Sequence, residues 1–259
     1  MARHVRIAAI SVATIEGMVP ENYARALRLG EIALAGSPDI LLFPEMLAAG
    51  YCGTDLSPYA EALDDPYPRR FRELSRAGGC MVALGFLRRV PAGVANTVAV
   101  FDRGDLVGTH AKRTLWPDDE RPYRDERKLL VPGEKMEIFD TRLGKFAVLI
   151  CYENWPTANW DEVAGQADFV LSAYNCEGDP SHRNIDEAKR LGLPSAWADR
   201  TGTVYAGDHY KPNLGTAGLV SAEGKVIAQS QPGVEAIVTG ELHVLSPRRP
   251  MDRMRALRG

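Results

Sequence analysis

The sequence predicts a single α/β domain. Strand-length apolar runs alternate with amphipathic, helix-forming stretches along most of the chain. A strand–turn–strand pattern also appears twice, once in each half, as "NTVAVFDRGDLVGTH" (96–110) and "GTAGLVSAEGKVIAQ" (215–229). The runs are almost continuously apolar rather than alternating, as expected of strands covered on both faces.

The elements follow in order. "VRIAAISVA" (5–13) reads as the first strand, and "PENYARALRLGEIALAG" (20–36) as a helix with Tyr23, Ala26, Leu27 and Leu34 on one face. Pro20 near its start and Gly36 at its end suit helix boundaries. "DILLFPE" (39–45) is a strand that Pro44 forces out of the ladder. A helix over 65–79 and a strand over 80–87 precede the first strand pair. "KFAVLICY" (145–152), "DFVLSAY" (168–174) and "LPSAWADR" (193–200) read as strands, with a helix over 182–192 before the last. "TAGLVS" (216–221) and "VEAIVTGEL" (234–242) close the pattern. One domain over 1–246 and a basic C-terminal arm over 247–259 are expected.

Composition narrows the function. The 259 residues carry a formal net charge of −3, so no global basic field attracts nucleic acid. The N-terminal apolar run is too short for a signal peptide, and nothing approaches the ~18 apolar residues of a membrane span. Cys52, Cys80, Cys151 and Cys176 show no paired or zinc-like spacing and read as reduced thiols, which points to a cytoplasmic protein without membrane association. The five histidines lack zinc spacing, and neither a metal nor an organic cofactor is expected.

Ligands of α/β sheets bind outside the carboxyl ends of strands. Three such ends carry reactive groups: Glu45 after "LLFP", Lys112 after "LVGTHA", and Cys151 near the end of "FAVLICY". Each has a bland reading, as surface charge or as a small core residue. Together they form a chemical set. A thiol attacks as thiolate, a carboxylate can remove its proton, and an ammonium can stabilise charge developing on the attacked carbonyl or nitrile. His110, two residues before Lys112, is the rival base of a cysteine–histidine pair.

"FPE", "HAKRTL" and "VLICYEN", in this order, resemble the three catalytic signatures of the nitrilase, or carbon–nitrogen hydrolase, superfamily. The similarity runs from residue 5 to about 245 and includes "WADRTG", where Asp199 stands in place of the usual asparagine. The resemblance implies a four-layer αββα sandwich built from two half-sheets. It implies Glu45 as general base, Lys112 as oxyanion stabiliser, Cys151 as nucleophile and the Tyr152 backbone N–H as a further oxyanion donor. A second glutamate is expected in the loop after the lysine; Glu120 is taken for it, with Asp118 and Asp119 as rivals. The implied activity is hydrolysis of a small amide or N-carbamoyl amine, with nitrile cleavage or a non-catalytic binding role as alternatives. Tyr51, Trp116, Trp155, Tyr174 and Asn175 are candidate pocket residues, each also explicable as packing. Cys52, Cys80 and Cys176 are read as structural. A homodimer or higher homo-oligomer is expected, with the arm crossing between subunits.

Overall fold

The computed structural model describes residues 3–121, 124–205 and 210–244. The proposed arm over 247–259 lies outside the described residues. The first half runs β1 (Arg3–Ile15), α1 (Val19–Ala33), β2 (Ile40–Leu42), α2 (Pro66–Gly78), β3 (Met81–Val90), β4 (Gly93–Asp102) and β5 (Asp105–Ala111). A short helix, α3 (Glu126–Leu129), and the edge strand β6 (Ile138–Thr141) lead into the second half. That half runs β7 (Gly144–Ile150), α4 (Thr157–Ala164), β8 (Phe169–Tyr174), α5 (Ser181–Leu191) and β9 (Ser195–Tyr205). It is completed by β10 (Tyr210–Leu214), β11 (Ala217–Val220), β12 (Val226–Gln229) and β13 (Ala236–Val244).

Among the described residues the strands form two sheets of the same plan. One has the order β13-β1-β2-β3-β4-β5 and the other β6-β7-β8-β9-β11-β12. In each, three central strands are parallel and the flanking ones antiparallel. The duplicated strand–turn–strand units are β4–β5 and β11–β12, at equivalent places in the two sheets. Residues Val12–Ile15 of β1 pair in parallel with Arg200–Thr203 of β9, which joins the sheets at one end.

Three apolar layers explain the sandwich. Between the sheets pack Val5, Ile7, Leu42 and Val98 from one and Phe146, Val148, Leu171 and Ala198 from the other. Alternate residues of the first sheet face outward onto α1 and α2, where Phe43 meets Phe71 edge-on at 5.0 Å. Ala147, Leu149 and Val170 of the second face Trp160, Val163 and Leu191 of α4 and α5. A strand covered on both sides must be apolar at every position, which is why these runs do not alternate.

The expected strand over 39–45 is in fact three residues long, because Pro44 cannot donate to a ladder and the chain leaves the sheet. β7 stops at Ile150, one residue before the thiol. The sequence reading missed β6, β10 and α4: two are short edge strands, and α4 has only a weak apolar stripe between Trp160 and Val163. Among the described residues no helix is long and apolar enough to cross a membrane.

Candidate active site

The site forms where β2, β5, β7 and β8 end. Glu45 follows Pro44, and its backbone N–H donates to the Tyr174 carbonyl at 3.2 Å, hooking the first sheet to the end of β8. Met46, next in the chain, adopts a left-handed φ of 41°. Gly85 of β3 lies directly beneath this turn. A Cβ there would stand 2.2 Å from the Pro44 carbonyl oxygen, so only glycine lets β3 approach so closely. Gly133 does the same for Lys112: a Cβ would lie 2.1 Å from the carbonyl oxygen of Ala111, and the Gly133 N–H binds the Lys112 carbonyl at 2.9 Å.

Lys112 is fully buried, and its Nζ donates to Oε1 of Glu45 and to Oε1 of Glu126, each at 2.8 Å. Asn96 donates to the same Glu45 oxygen at 2.6 Å. Glu126 in turn accepts from the Tyr51 hydroxyl at 2.8 Å and from the Trp116 backbone N–H at 2.6 Å. Burial pushes the Glu45 carboxyl above the usual range; the Lys112 ammonium opposes this, and the Glu126 charge adds to the rise. Burial alone would lower Lys112, but Glu126, Glu45 and Cys151 outweigh it and hold the ammonium charged. Two carboxylates thus share one buried cation, and each bears on the other's ionisation through it.

Glu126 is the residue the sequence reading overlooked. Glu120 is exposed, whereas Glu126 is fully buried against Lys112. Asp118 pairs with Arg121 at 2.8 Å and Asp119 with Arg127. Five carboxylates lie between 118 and 126 in a stretch without regular periodicity. The available signal was Asp125, whose side chain accepts from the Arg127 N–H at 3.2 Å to cap a short helix and turns the next residue inward.

Cys151 opens a single 3-10 turn, Cys151–Asn154, with φ at 44°. Left-handed backbone costs a non-glycine residue ~1–2 kcal/mol, and such strain is retained at sites that the surroundings over-determine. Glu153 supplies that surrounding. Fully buried, it accepts from the N–H groups of Ile150 at 2.8 Å and Arg113 at 2.7 Å, and lies 2.9 Å from Nε2 of His110. It therefore ties the thiol turn to the chain that carries Lys112. Burial opposes its ionisation, yet His110 and these N–H donors hold its carboxyl below the usual range. His110, the rival base, is engaged by Glu153.

A pocket of about 330 Å³ opens over the thiol, lined by Tyr51, Trp116, Cys151, Tyr152, Trp155, Asn175 and Cys176 among others. Trp116 and Trp155 stand at its rim, 37% and 38% exposed. Tyr174, by contrast, is fully buried and bound by Asn184 at 2.8 Å, outside the lining. Arg124 and Arg121, which also line the pocket, pair there with Glu177, and Lys211 completes that cluster. Asn175 is fixed from behind: Arg200, a donor only, binds its Oδ1 at 3.2 Å, so its Nδ2 points the other way. That Nδ2 is buried with no partner among the described residues. Asp199 is buried under the site and accepts from the N–H of Cys176 at 3.0 Å and of Arg200 at 2.7 Å. Burial pushes its carboxyl well above the usual range, against the two N–H donors and Arg200, which lower it. One group among the described residues has metal-ligand spacing: the exposed His4, Glu241 and His243, at one end of the β1–β13 pair. None of the three lines the pocket.

The αββα sandwich thus carries a buried Glu–Lys–Glu cluster and a thiol on a strained turn that opens to a pocket. The chain belongs to the carbon–nitrogen hydrolase family, whose model matches residues 6–246. It is 31% identical over 230 residues to omega-amidase NIT2 of Xenopus tropicalis, covering 81% of this chain and 79% of that one. It is 24% identical over 240 residues to the glutamine-dependent NAD(+) synthetase of Acinetobacter baylyi, covering 90% of this chain but only 43% of the synthetase. An amidase from Nesterenkonia sp. AN1, solved as a mutant with the acetamide moiety of fluoroacetamide added covalently at the active-site cysteine, superimposes with a TM-score of 0.78 at 18% identity. That match covers 98% of this chain and 93% of the amidase.

Proposed function

We propose that this protein hydrolyses the C–N bond of a small primary amide or N-carbamoyl amine through a thioester on Cys151. The observation that carries the reading is the Lys112 ammonium held 2.8 Å from both Glu45 and Glu126, close enough to Cys151 for the two to interact electrostatically.

Glu45 takes the thiol proton as Cys151 attacks the carbonyl carbon. Its raised basicity suits that task, since a general base works best with a pKa near the operating pH. Negative charge gathers on the carbonyl oxygen, where Lys112 and the Tyr152 N–H supply positive partners, worth about 3–4 kcal/mol per donor in comparable sites. The tetrahedral intermediate collapses, and ammonia or an amine leaves with the proton from Glu45. Water, deprotonated by Glu45, then attacks the thioester and frees the acid. Glu126 holds Lys112 in position throughout. Asn175 Nδ2 is a ready donor to a substrate acceptor, and Tyr51, Trp116 and Trp155 form the walls. A 330 Å³ pocket suits a small substrate.

The test is ammonia release from a primary amide, an N-carbamoyl amine and a nitrile sharing one side chain, with Cys151→Ala as the blank. Turnover of the amide or carbamoyl compound, lost in the blank, supports the proposal. Turnover of the nitrile alone would replace it with nitrilase activity. Silence across several side chains, with no acyl adduct on Cys151 by intact mass, would point to a binding role.

A further inference from the structure

The sequence reading set Cys176 aside as structural, yet its Sγ lies 3.5 Å from that of Cys151. We infer that Cys151 and Cys176 form a reversible disulfide when hydrogen peroxide oxidises the pocket, so that Cys176 acts as the resolving thiol for the site's reactive cysteine.

The positions follow from the sheet. β7 and β8 are adjacent and parallel, with Ile150 opposite Ala173. Cys151 comes one residue after β7 and Cys176 two residues after β8. Extending the register sets Cys151 level with Tyr174 and Cys176 two residues further on, and the turns that leave the two strands bring the sulfurs to 3.5 Å. The sulfurs must close from 3.5 Å to ~2.05 Å to bond. Cys176 is held from below by Asp199, which accepts its N–H at 3.0 Å. Both thiols line the open pocket, so a small peroxide can reach them.

The chemistry balances. The Cys151 sulfur attacks one peroxide oxygen, the O–O bond breaks, and hydroxide leaves as water after taking up the thiol's proton. Cys151 becomes a sulfenic acid. The Cys176 sulfur then attacks that sulfur, the S–O bond breaks, and hydroxide departs as a second water with the Cys176 proton. Each sulfur is oxidised by one electron, and the two peroxide oxygens are reduced. Hydrogen bonding to Cys151, with burial, pushes the Cys176 thiol well up. Cys52 and Cys80 do not line the pocket, and burial raises both thiols to about 11. They serve as internal references.

This inference builds on the proposed role of Cys151, but its main readout does not need turnover. The full-length protein is treated with a small excess of hydrogen peroxide, and its intact mass and non-reducing peptide map are recorded. The expected result is loss of two hydrogen atoms and a cross-linked peptide pair holding Cys151 and Cys176, both reversed by dithiothreitol. In Cys176→Ala, the same treatment should add two or three oxygen atoms at Cys151, which dithiothreitol does not remove. If the proposed hydrolysis also holds, dithiothreitol should restore at least ~10-fold more of the starting rate in wild type than in Cys176→Ala, each normalised to itself. Wild type with Cys151 over-oxidised and Cys176 still free would overturn the inference, whatever the activity. A cross-link without hydrolase turnover would leave it standing and count against the proposed function alone.

Discussion

Replacing Glu126 by glutamine tests the cluster most directly. The change keeps the shape and the acceptor for the Trp116 N–H, and removes one charge. Both carboxylate oxygens lie 2.8 Å from the same Lys112 nitrogen, so they stand no more than about 5.6 Å apart. At an effective dielectric constant of ~20, two such charges repel by about 3 kcal/mol. In the free enzyme Glu45 must be ionised to act as base, so kcat/KM rises as pH passes its pKa. Removing a neighbouring negative charge lowers that pKa, and the acid limb of the profile should move to lower pH. Lys112 also loses one of its two anchors, and misplacement of that kind costs ~10²-fold in rate. The assay is kcat/KM against pH for wild type, Glu126→Gln and Glu120→Gln on one substrate. Glu120, exposed, should give a wild-type profile. An unmoved acid limb in Glu126→Gln, with the loss appearing in Glu120→Gln instead, would refute the reasoning.

Other expectations follow from single contacts. Gly85→Ala sets a Cβ 2.2 Å from the Pro44 carbonyl oxygen, so the turn bearing Glu45 must move; melting should report ~1–3 kcal/mol lost, and kcat a larger proportional fall than KM. Lys112→Ala leaves two buried carboxylates without their cation. A fall of ~10²–10³ in kcat is expected, together with a chemical-denaturation loss of ~3–5 kcal/mol, and unchanged stability would count against the ion cluster. Glu153 has its folded carboxyl held below the ordinary value. Its contribution is present above about pH 4.5 and lost as pH falls through the folded pKa, so Glu153→Gln should melt lower than wild type at pH 7 with the gap narrowing in acid. Glu61 behaves oppositely: burial raises its carboxyl to about 7, so it costs stability as pH climbs from about 4.5 to 7. Glu61→Gln should therefore gain in relative melting temperature over that range.

The alternation of strands and helices, the duplicated strand pairs and the three strand ends that carry Glu45, Lys112 and Cys151 are all legible along the chain. These are local matters: burial on both faces demands unbroken apolar runs, and a reactive residue after such a run lies at the sheet's binding edge. The tertiary structure alone decided which carboxylate meets Lys112, because the stretch from 113 to 126 has no period from which a direction can be read. The same holds for Cys176. It looks like a small core residue along the chain, and it becomes the neighbour of Cys151 only because β7 and β8 lie side by side. Asp199 is similar, since its role rests on the Cys176 backbone across a strand boundary. Periodicity is set by each residue's own burial, whereas a site is set by distances between side chains on separate elements, and those exist only once the sheets have packed.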